Sequence, residues 1–244
     1  MTTGFRLCFA LALALLPGLA SAGAQPTVVV ELFTSQGCSS CPPADAYLGE
    51  LAKRPDLLAV AFHVEYWNYI GWVDPFAKPW ATRRQHDYMS TLHTRYIFTP
   101  EIVVNGASEG IGSERDAIEP LIHAASAVSA PHPDLTLLWR EDGALIVDVG
   151  AGQSPPDEPA VLWLLGYDGL HETKVLRGEN EGRTLADHHA VRSFRKLGAW
   201  LGWSEELIVP ADEAKTLGDS GIAVLLQAAG SGPIITAAQI DQRR

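Results

Sequence analysis

Hydrophobic and polar positions fall into strand-like runs and helical stripes that alternate over the first half of the chain. Thr27-Val28-Val29-Val30-Glu31-Leu32-Phe33 is a β-branched run without an internal breaker, and Leu57-Leu58-Ala59-Val60-Ala61-Phe62 is a second continuous apolar run; both read as buried strands. Between them, Leu48, Leu51 and Ala52 give one helical face. That helix is expected to open at Cys38-Ser39-Ser40-Cys41-Pro42-Pro43, where serine can cap free N–H groups and proline is tolerated in a first turn. A strand–helix–strand order of this length implies parallel, right-handed pairing. A further helix is expected within Pro75 to Leu92. Thr99-Pro100-Glu101-Ile102-Val103-Val104 is a third strand, and Asn105-Gly106 after it favours a two-residue hairpin. Ser113 with Asp116 resembles a capping box ahead of Ala117, Ile118, Leu121, Ile122 and Ala125, which share a helical face.

The pattern changes at Ser129-Ala130-Pro131-His132-Pro133, where two prolines cannot continue a helix. Beyond it, short apolar runs are separated by turn signals. Candidate strands are Leu135 to Trp139, Ala144 to Val149, Ala160 to Gly166, Leu170 to Leu176, His189 to Leu197, Ile222 to Gln227 and Ile234 to Ile240. Glu141-Asp142-Gly143 and Asp168-Gly169 make turns between neighbours, so an antiparallel sandwich is expected. The loop from Arg177 to Arg183 is rich in glycine and charge but lacks the spacing of a phosphate-binding loop, and reads as a long connection.

The first residues carry a different signal. Arg6 precedes an apolar run from Leu7 to Leu16, and Ala20-Ser21-Ala22 places small residues where a signal peptidase reads. The run is too short for a bilayer span and Pro17-Gly18 breaks it, so cleavage after Ala22 and a periplasmic or secreted location are expected, with no membrane span left afterwards. The chain therefore divides into a signal peptide over 1–22, an α/β domain over 27–128 and a β-rich domain over 134–244. Its formal net charge is −11, which becomes −12 once Arg6 leaves. Such an acidic balance excludes a surface built for nucleic acid or anionic lipid.

Of three cysteines, Cys8 leaves with the leader, and Cys38 and Cys41 stay in an oxidising compartment. With no other cysteine in the mature chain, any disulfide exchange must be with another molecule. A helix N-terminus stabilises a thiolate at position 38, and Cys41 lies near enough to close on it. Two other uses of the pair compete with redox chemistry. A structural staple would close a loop too short to remove much entropy. A soft-metal site for Cu(I) would need a further ligand, such as a histidine. Glu31, an acid within an apolar strand, either serves the cysteines or pairs with a base; His63, Glu65, Tyr66, Trp67 and Trp72 either line the cysteine groove or pack the core. Arg83-Arg84-Gln85 and Arg95 read as a solvated face or ion pairs. His188-His189, if in a strand, would point to opposite faces and share no metal.

The order β-α-β-α-β-β-α, with Cys-x-x-Cys at the first strand-to-helix turn and Thr99-Pro100 before the third strand, resembles the thioredoxin superfamily. Glu31 to Pro42 looks especially like the glutaredoxin type of approach to the motif. A narrower likeness is to a group of exported bacterial thioredoxin-like proteins of unassigned function. It rests on His63 to Trp67, Gly71-Trp72-Val73-Asp74-Pro75, Thr99-Pro100 and Arg177-Gly178-Glu179-Asn180. The resemblance implies a thioredoxin-like α/β domain, a central mixed sheet flanked by helices, followed by an all-β, sandwich-like domain. It also implies Cys38 as nucleophile, Cys41 as resolving thiol, a cis Pro100, and Thr99 and Pro100 as substrate contacts, with no cofactor. The function expected is thiol–disulfide exchange with protein thiols or disulfides, a small thiol or a redox partner. The alternatives are a Cu(I) metallochaperone and a non-enzymatic binding protein on the same fold.

Overall fold

The computed structural model describes residues 28–128, 130–154 and 158–243; the leader expected over 1–22, with Cys8, lies outside the described residues. The first part contains β1 (Val28–Thr34), α1 (Pro42–Leu51), β2 (Leu57–His63), α2 (Pro79–Thr91), β3 (Glu101–Val104), β4 (Ser108–Ile111) and α3 (Arg115–Ser126). Its sheet has the order β2-β1-β3-β4, with β1 and β2 parallel and the other neighbours antiparallel. The hairpin between β3 and β4 is one residue longer than the Asn-Gly signal suggests. Asn105 and Gly106 do take positive φ, 48° and 62°, but Val104 pairs with Ser108, so Ala107 also belongs to the turn. Ser113 does not form a capping box: the residue before α3 is Glu114, and no side chain caps that helix.

The second part is mostly β: β5 (Leu135–Trp139), β6 (Leu145–Val149), β7 (Ala160–Tyr167), β8 (Leu170–Lys174), β9 (Thr184–His188), β10 (Val191–Trp200), β11 (Glu205–Val209), a single turn α4 (Ala211–Ala214), β12 (Gly221–Gln227) and β13 (Ile234–Asp241). They form antiparallel sheets ordered β10-β7-β12-β13 and β11-β6-β5, plus the two-stranded β8-β9. The strand expected from His189 to Leu197 starts two residues later, at Val191, and runs on to Trp200. His189 adopts φ 47°, a left-handed turn between β9 and β10. β11 carries only a short amphipathic signal, with Glu205 and Glu206 beside Leu207 and Ile208, and the sequence reading passed over it.

Side-chain alternation explains how the layers stack. Val28, Val30 and Leu32 of β1 face α1 and α3, together with Ala59 and Ala61 of β2. Val29 and Phe33, with Val60 and Phe62, face the other way, and there they meet Leu165 of β7 and Ala223 and Leu225 of β12. The opposite faces of β7 and β12, including Leu162, Leu164, Val224 and Leu226, pack on Leu137, Leu145 and Val147 of the third sheet. The middle sheet is thus apolar on both faces. That is why Gly221–Gln227 reads as a continuous apolar run and is buried throughout. The two parts share this middle layer rather than meeting at a polar boundary.

Within that layer lies one buried ion pair. Glu31 points to the same side as Val29 and Phe33, away from α1, and accepts from Arg84 at 2.6 Å (Nε to Oε1) and 3.0 Å (Nη2 to Oε2). Tyr88 also donates to Glu31, Arg84 donates to the Tyr88 hydroxyl at 2.8 Å, and Gln227 of β12 accepts from Arg84 Nη1 at 3.3 Å. The guanidinium lies 4.7 Å from the Phe194 ring centre. Arg84 is therefore not part of a solvated face, although its neighbour Arg83 is exposed. Glu31 is a core ion-pair partner on the far side of the sheet from the cysteine helix. Arg84→Met would strand the Glu31 carboxylate in this layer, an expected loss of about 3–5 kcal/mol in urea unfolding of the disulfide-intact protein, whereas Glu31→Leu with Arg84→Met together should recover most of it. An Arg84→Met variant as stable as the parent would show that the pair is not desolvated.

Candidate functional site

β1 ends at Thr34 and the chain turns through Ser35-Gln36-Gly37 into the cysteines. The turn is closed by Cys38 N–H donating to the Ser35 carbonyl at 3.0 Å and Gly37 N–H to Ser35 Oγ at 3.1 Å. Cys38 and Cys41 form a disulfide with Cα atoms 5.5 Å apart. Both are buried, at 1% and 0% exposure. Helix α1 starts only at Pro42, after Cys41, and no side chain caps it. The two serines between the cysteines therefore do other work. Ser40 Oγ lies 3.3 Å from Cys38 Sγ, and the Ser39 N–H donates to Glu179 Oε2 at 3.2 Å.

Thr99 and Pro100 lie across from this disulfide. Their peptide bond is cis, and the Thr99 carbonyl is 3.8 Å from Cys38 Sγ. Trp67 closes the same side, its Nε1 donating to Thr99 Oγ1 at 2.7 Å, while its Cβ leaves no room for a side chain at Gly37. Tyr66 points instead toward Gln85, at 3.2 Å from its Oε1. The structure therefore gathers Cys38, Cys41, Thr99 and Pro100, with Trp67 from the aromatic group that follows β2.

Gln36, two residues before Cys38, is 1% exposed, so each of its polar groups needs a partner. Each has one. Its backbone N–H donates to Asp74 Oδ2 at 2.9 Å, its side-chain amide to Asp187 Oδ2 at 2.7 Å, and its Oε1 accepts from Trp72 Nε1 at 2.9 Å. Its backbone carbonyl accepts from Asn180 Nδ2 at 3.0 Å, and the same amide reaches the Cys38 carbonyl at 2.9 Å. Asp187 lies on β9 and Asn180 in the loop between β8 and β9, so the β-rich part grips the cysteine turn directly. The loop expected to be a plain connection is a strap. It went unread because its partners lie about 140 residues earlier in sequence.

Beneath the turn lies a buried set of ionisable groups. His63, the last residue of β2, has Nδ1 2.8 Å from Asp74 Oδ2, and its Nε2 faces Asp187 Oδ1 at 3.9 Å. Burial alone would lower the imidazole, but Asp74, then Asp187 and Asp45, outweigh it and lift it to about 9. Asp74 is held below its ordinary value despite burial, by the His63 charge and by hydrogen bonds from His63, Gln36 and Phe76. Asp45 has neither compensation in full. It sits on α1 one turn after Cys41, accepts from Thr34 Oγ1 at 2.7 Å, and burial pushes it up to about 7. Burial likewise raises Asp187, and raises Glu101, next to Pro100, to about 7. The sequence reading named His63 but missed Asp45; a carboxylate four residues after the second cysteine was the available signal.

His188 and His189 do not act together. The His188 ring packs where Gly49 of α1 leaves space, and His189 Nδ1 lies 2.9 Å from the Ala59 carbonyl. Among the described residues, the group of three potential metal ligands is Asp168, His171 and Asp219, which excludes both cysteines; Arg192 lies 3.3 Å from Asp168 Oδ2. No helix among the described residues is long and apolar enough to cross a membrane.

An α/β part followed by mostly β sheets is the arrangement that the comparisons with known proteins match. The chain belongs to the family described as a protein of unknown function, DUF1223, which matches residues 29–227. It is similar to a protein from Agrobacterium tumefaciens of known crystal structure, with 28% identity and a TM-score of 0.77, over 90% of this chain and 96% of that one. No match is found among the curated proteins.

The raised groups set the pH dependence of stability. Asp45 and His63 both hold their protons more tightly in the native protein than in the unfolded chain, so their contribution is full in mild acid and is lost as pH rises. Asp45 loses it between about 4 and 7, His63 between about 6.5 and 9. Asp74 works oppositely and weakens the fold only as pH falls below the ordinary carboxylate range. The urea midpoint of the disulfide-intact protein is expected to fall from about pH 5 to pH 9. Asp45→Asn, which keeps an acceptor for Thr34, should make the part below pH 7 shallower, the remainder coming from Glu101; an unchanged slope there would contradict the burial of this carboxyl.

Proposed function

We propose that this protein is a thiol–disulfide oxidoreductase on a thioredoxin-like fold, acting through Cys38 and Cys41 on protein thiols or disulfides after export to the periplasm or beyond. The observation that carries it is the placing of the pair between the end of β1 and the start of α1 with the Thr99 carbonyl 3.8 Å from Cys38 Sγ. A polypeptide lying along Thr99-Pro100 would bring its own sulfur in line with Cys38, as the thioredoxin-like resemblance implies. The leader-like first residues and a single thiol pair fit an exported protein that exchanges with other molecules.

The exchange balances without a cofactor. In the reducing direction, the Cys38 thiolate attacks one sulfur of a substrate disulfide, forming a mixed disulfide and releasing one substrate thiolate. Cys41 then gives its proton to the Asp45 carboxylate, attacks Cys38 Sγ, closes the intramolecular disulfide and releases the second substrate thiolate. Two electrons pass from protein to substrate, and the reverse sequence oxidises a dithiol. Asp45 suits the task because a base poised near neutral pH both accepts and returns the proton. The pocket of about 400 Å³ that Asp45 lines with Pro42, Gly49 and His188 would carry that proton to solvent.

Insulin reduction and equilibration with glutathione buffers test this. The parent should exchange, Cys38→Ser should be inert, and Cys41→Ser should accumulate a mixed disulfide. Asp45→Asn should slow closure roughly 100-fold at neutral pH and remove the limb of the pH–rate profile near 7. Equal activity in Cys38→Ser would overturn the assignment. A second function, a binding protein with an inert disulfide, is favoured by the 1% exposure of Cys38; a parent that does not exchange with glutathione would support it.

A further inference from the structure

The turn that carries Cys38 into α1 is not left free. Ser39, between the cysteines, donates its backbone N–H to the carboxylate of Glu179 at 3.2 Å, from the strap of the β-rich part. The strap is firmly built. Val175 and Arg183 close it by a backbone hydrogen bond of 2.9 Å, and Arg183 Nη1 donates to Asn180 Oδ1 at 2.8 Å. Asn180, fully buried, anchors it to the carbonyls of Gln36 and Cys38. Gly178, at φ 83°, packs against the Ile70 carbonyl and Trp72. Asn180 thus holds Glu179 next to the cysteine pair.

A carboxylate at this point does two things to Cys38. It takes an N–H of the cysteine turn, and it adds a negative charge at the residue next to Cys38. Both disfavour the thiolate and so favour the disulfide over the dithiol. The other ionisable groups near the turn are His63, Asp74, Asp187 and Asp45, which lie beneath it and are buried, Glu101 beyond Pro100, and Arg183 of the strap, whose guanidinium bonds Asn180. Glu179 is exposed, so its influence is one that salt can screen.

We infer that Glu179 is a positioning residue that sets the redox poise of Cys38–Cys41 from the second part of the chain, holding the pair toward the disulfide. This rests on the proposed exchange chemistry, deepens it, and makes the β-rich part a contributor to the redox site rather than a cover.

The test uses full-length chain in two assays. In a Cys41→Ser background, where no intramolecular disulfide can form, the Cys38 thiolate is titrated by its ultraviolet absorbance and by iodoacetamide alkylation. Glu179→Gln, which keeps an acceptor for Ser39 but removes the charge, should raise the thiolate fraction below the midpoint about two- to fivefold at low salt, and Glu179→Lys should raise it further. The difference should shrink at high salt. With both cysteines present, the glutathione equilibrium should shift toward the dithiol by a similar factor. A thiolate titration in Glu179→Gln that superposes on its parent at low salt, or a shift that salt does not change, would overturn the inference. A parent that never exchanges with glutathione while the Cys38 titration still responds to Glu179 would instead overturn the exchange function and leave the charge effect standing.

Discussion

One layer of apolar side chains, buried between the sheet that carries the cysteines and the middle sheet of the β-rich part, is the constraint on which the rest of the molecule depends. Val29, Phe33, Val60 and Phe62 on one side, and Leu165, Ala223 and Leu225 on the other, are removed from water only when the two parts pack together. That packing fixes where β9 and the strap fall, and thereby which groups reach the cysteine turn. It also forces Glu31 and Arg84 into a dry environment, where only their mutual pairing and the Tyr88 and Gln227 contacts make the charges tolerable.

The cysteine turn follows the same logic on a smaller scale. A glutamine with four buried polar groups is acceptable only where four partners meet it, and those of Gln36 come from the segment after β2 and from the β-rich part in equal number. The aspartates that satisfy it also confine His63, so the hydrogen bonding of the turn and the charge state of the groups beneath it are one system. Asp45 stands at the edge of that system, and burial lifts its carboxyl to about 7.

What the sequence made legible was local. The continuous apolar runs of β1, β2 and β12 could be read because both faces of those strands are buried, and the Cys-x-x-Cys placement because strand, loop and proline follow one another within a few residues. The unread features all depend on distant partners or on backbone turns. Arg84 read equally as a solvated cation or an ion-pair member, because its partner Glu31 is 53 residues away. Asn180 looked like loop because the carbonyl it holds is 142 residues away. The start of β10 looked two residues earlier than it is because a left-handed residue at His189 leaves no composition signal, and the serines looked like caps because nothing local says that the helix waits until Pro42.

The shared layer also bears on how this chain can be divided or recombined. Residues 28–128 carry both cysteines, the cis proline and Asp45, and by content they look like a self-sufficient unit. Their sheet is nonetheless finished on one face only. Cut from the remainder, that fragment would present Phe33, Phe62 and an unfilled aromatic shelf to water, and would lose half the ligatures of its own cysteine loop. The chain is one indivisible object with two sequence textures, and a lineage that borrowed only its first half would inherit the cysteine pair without the surface that covers its sheet.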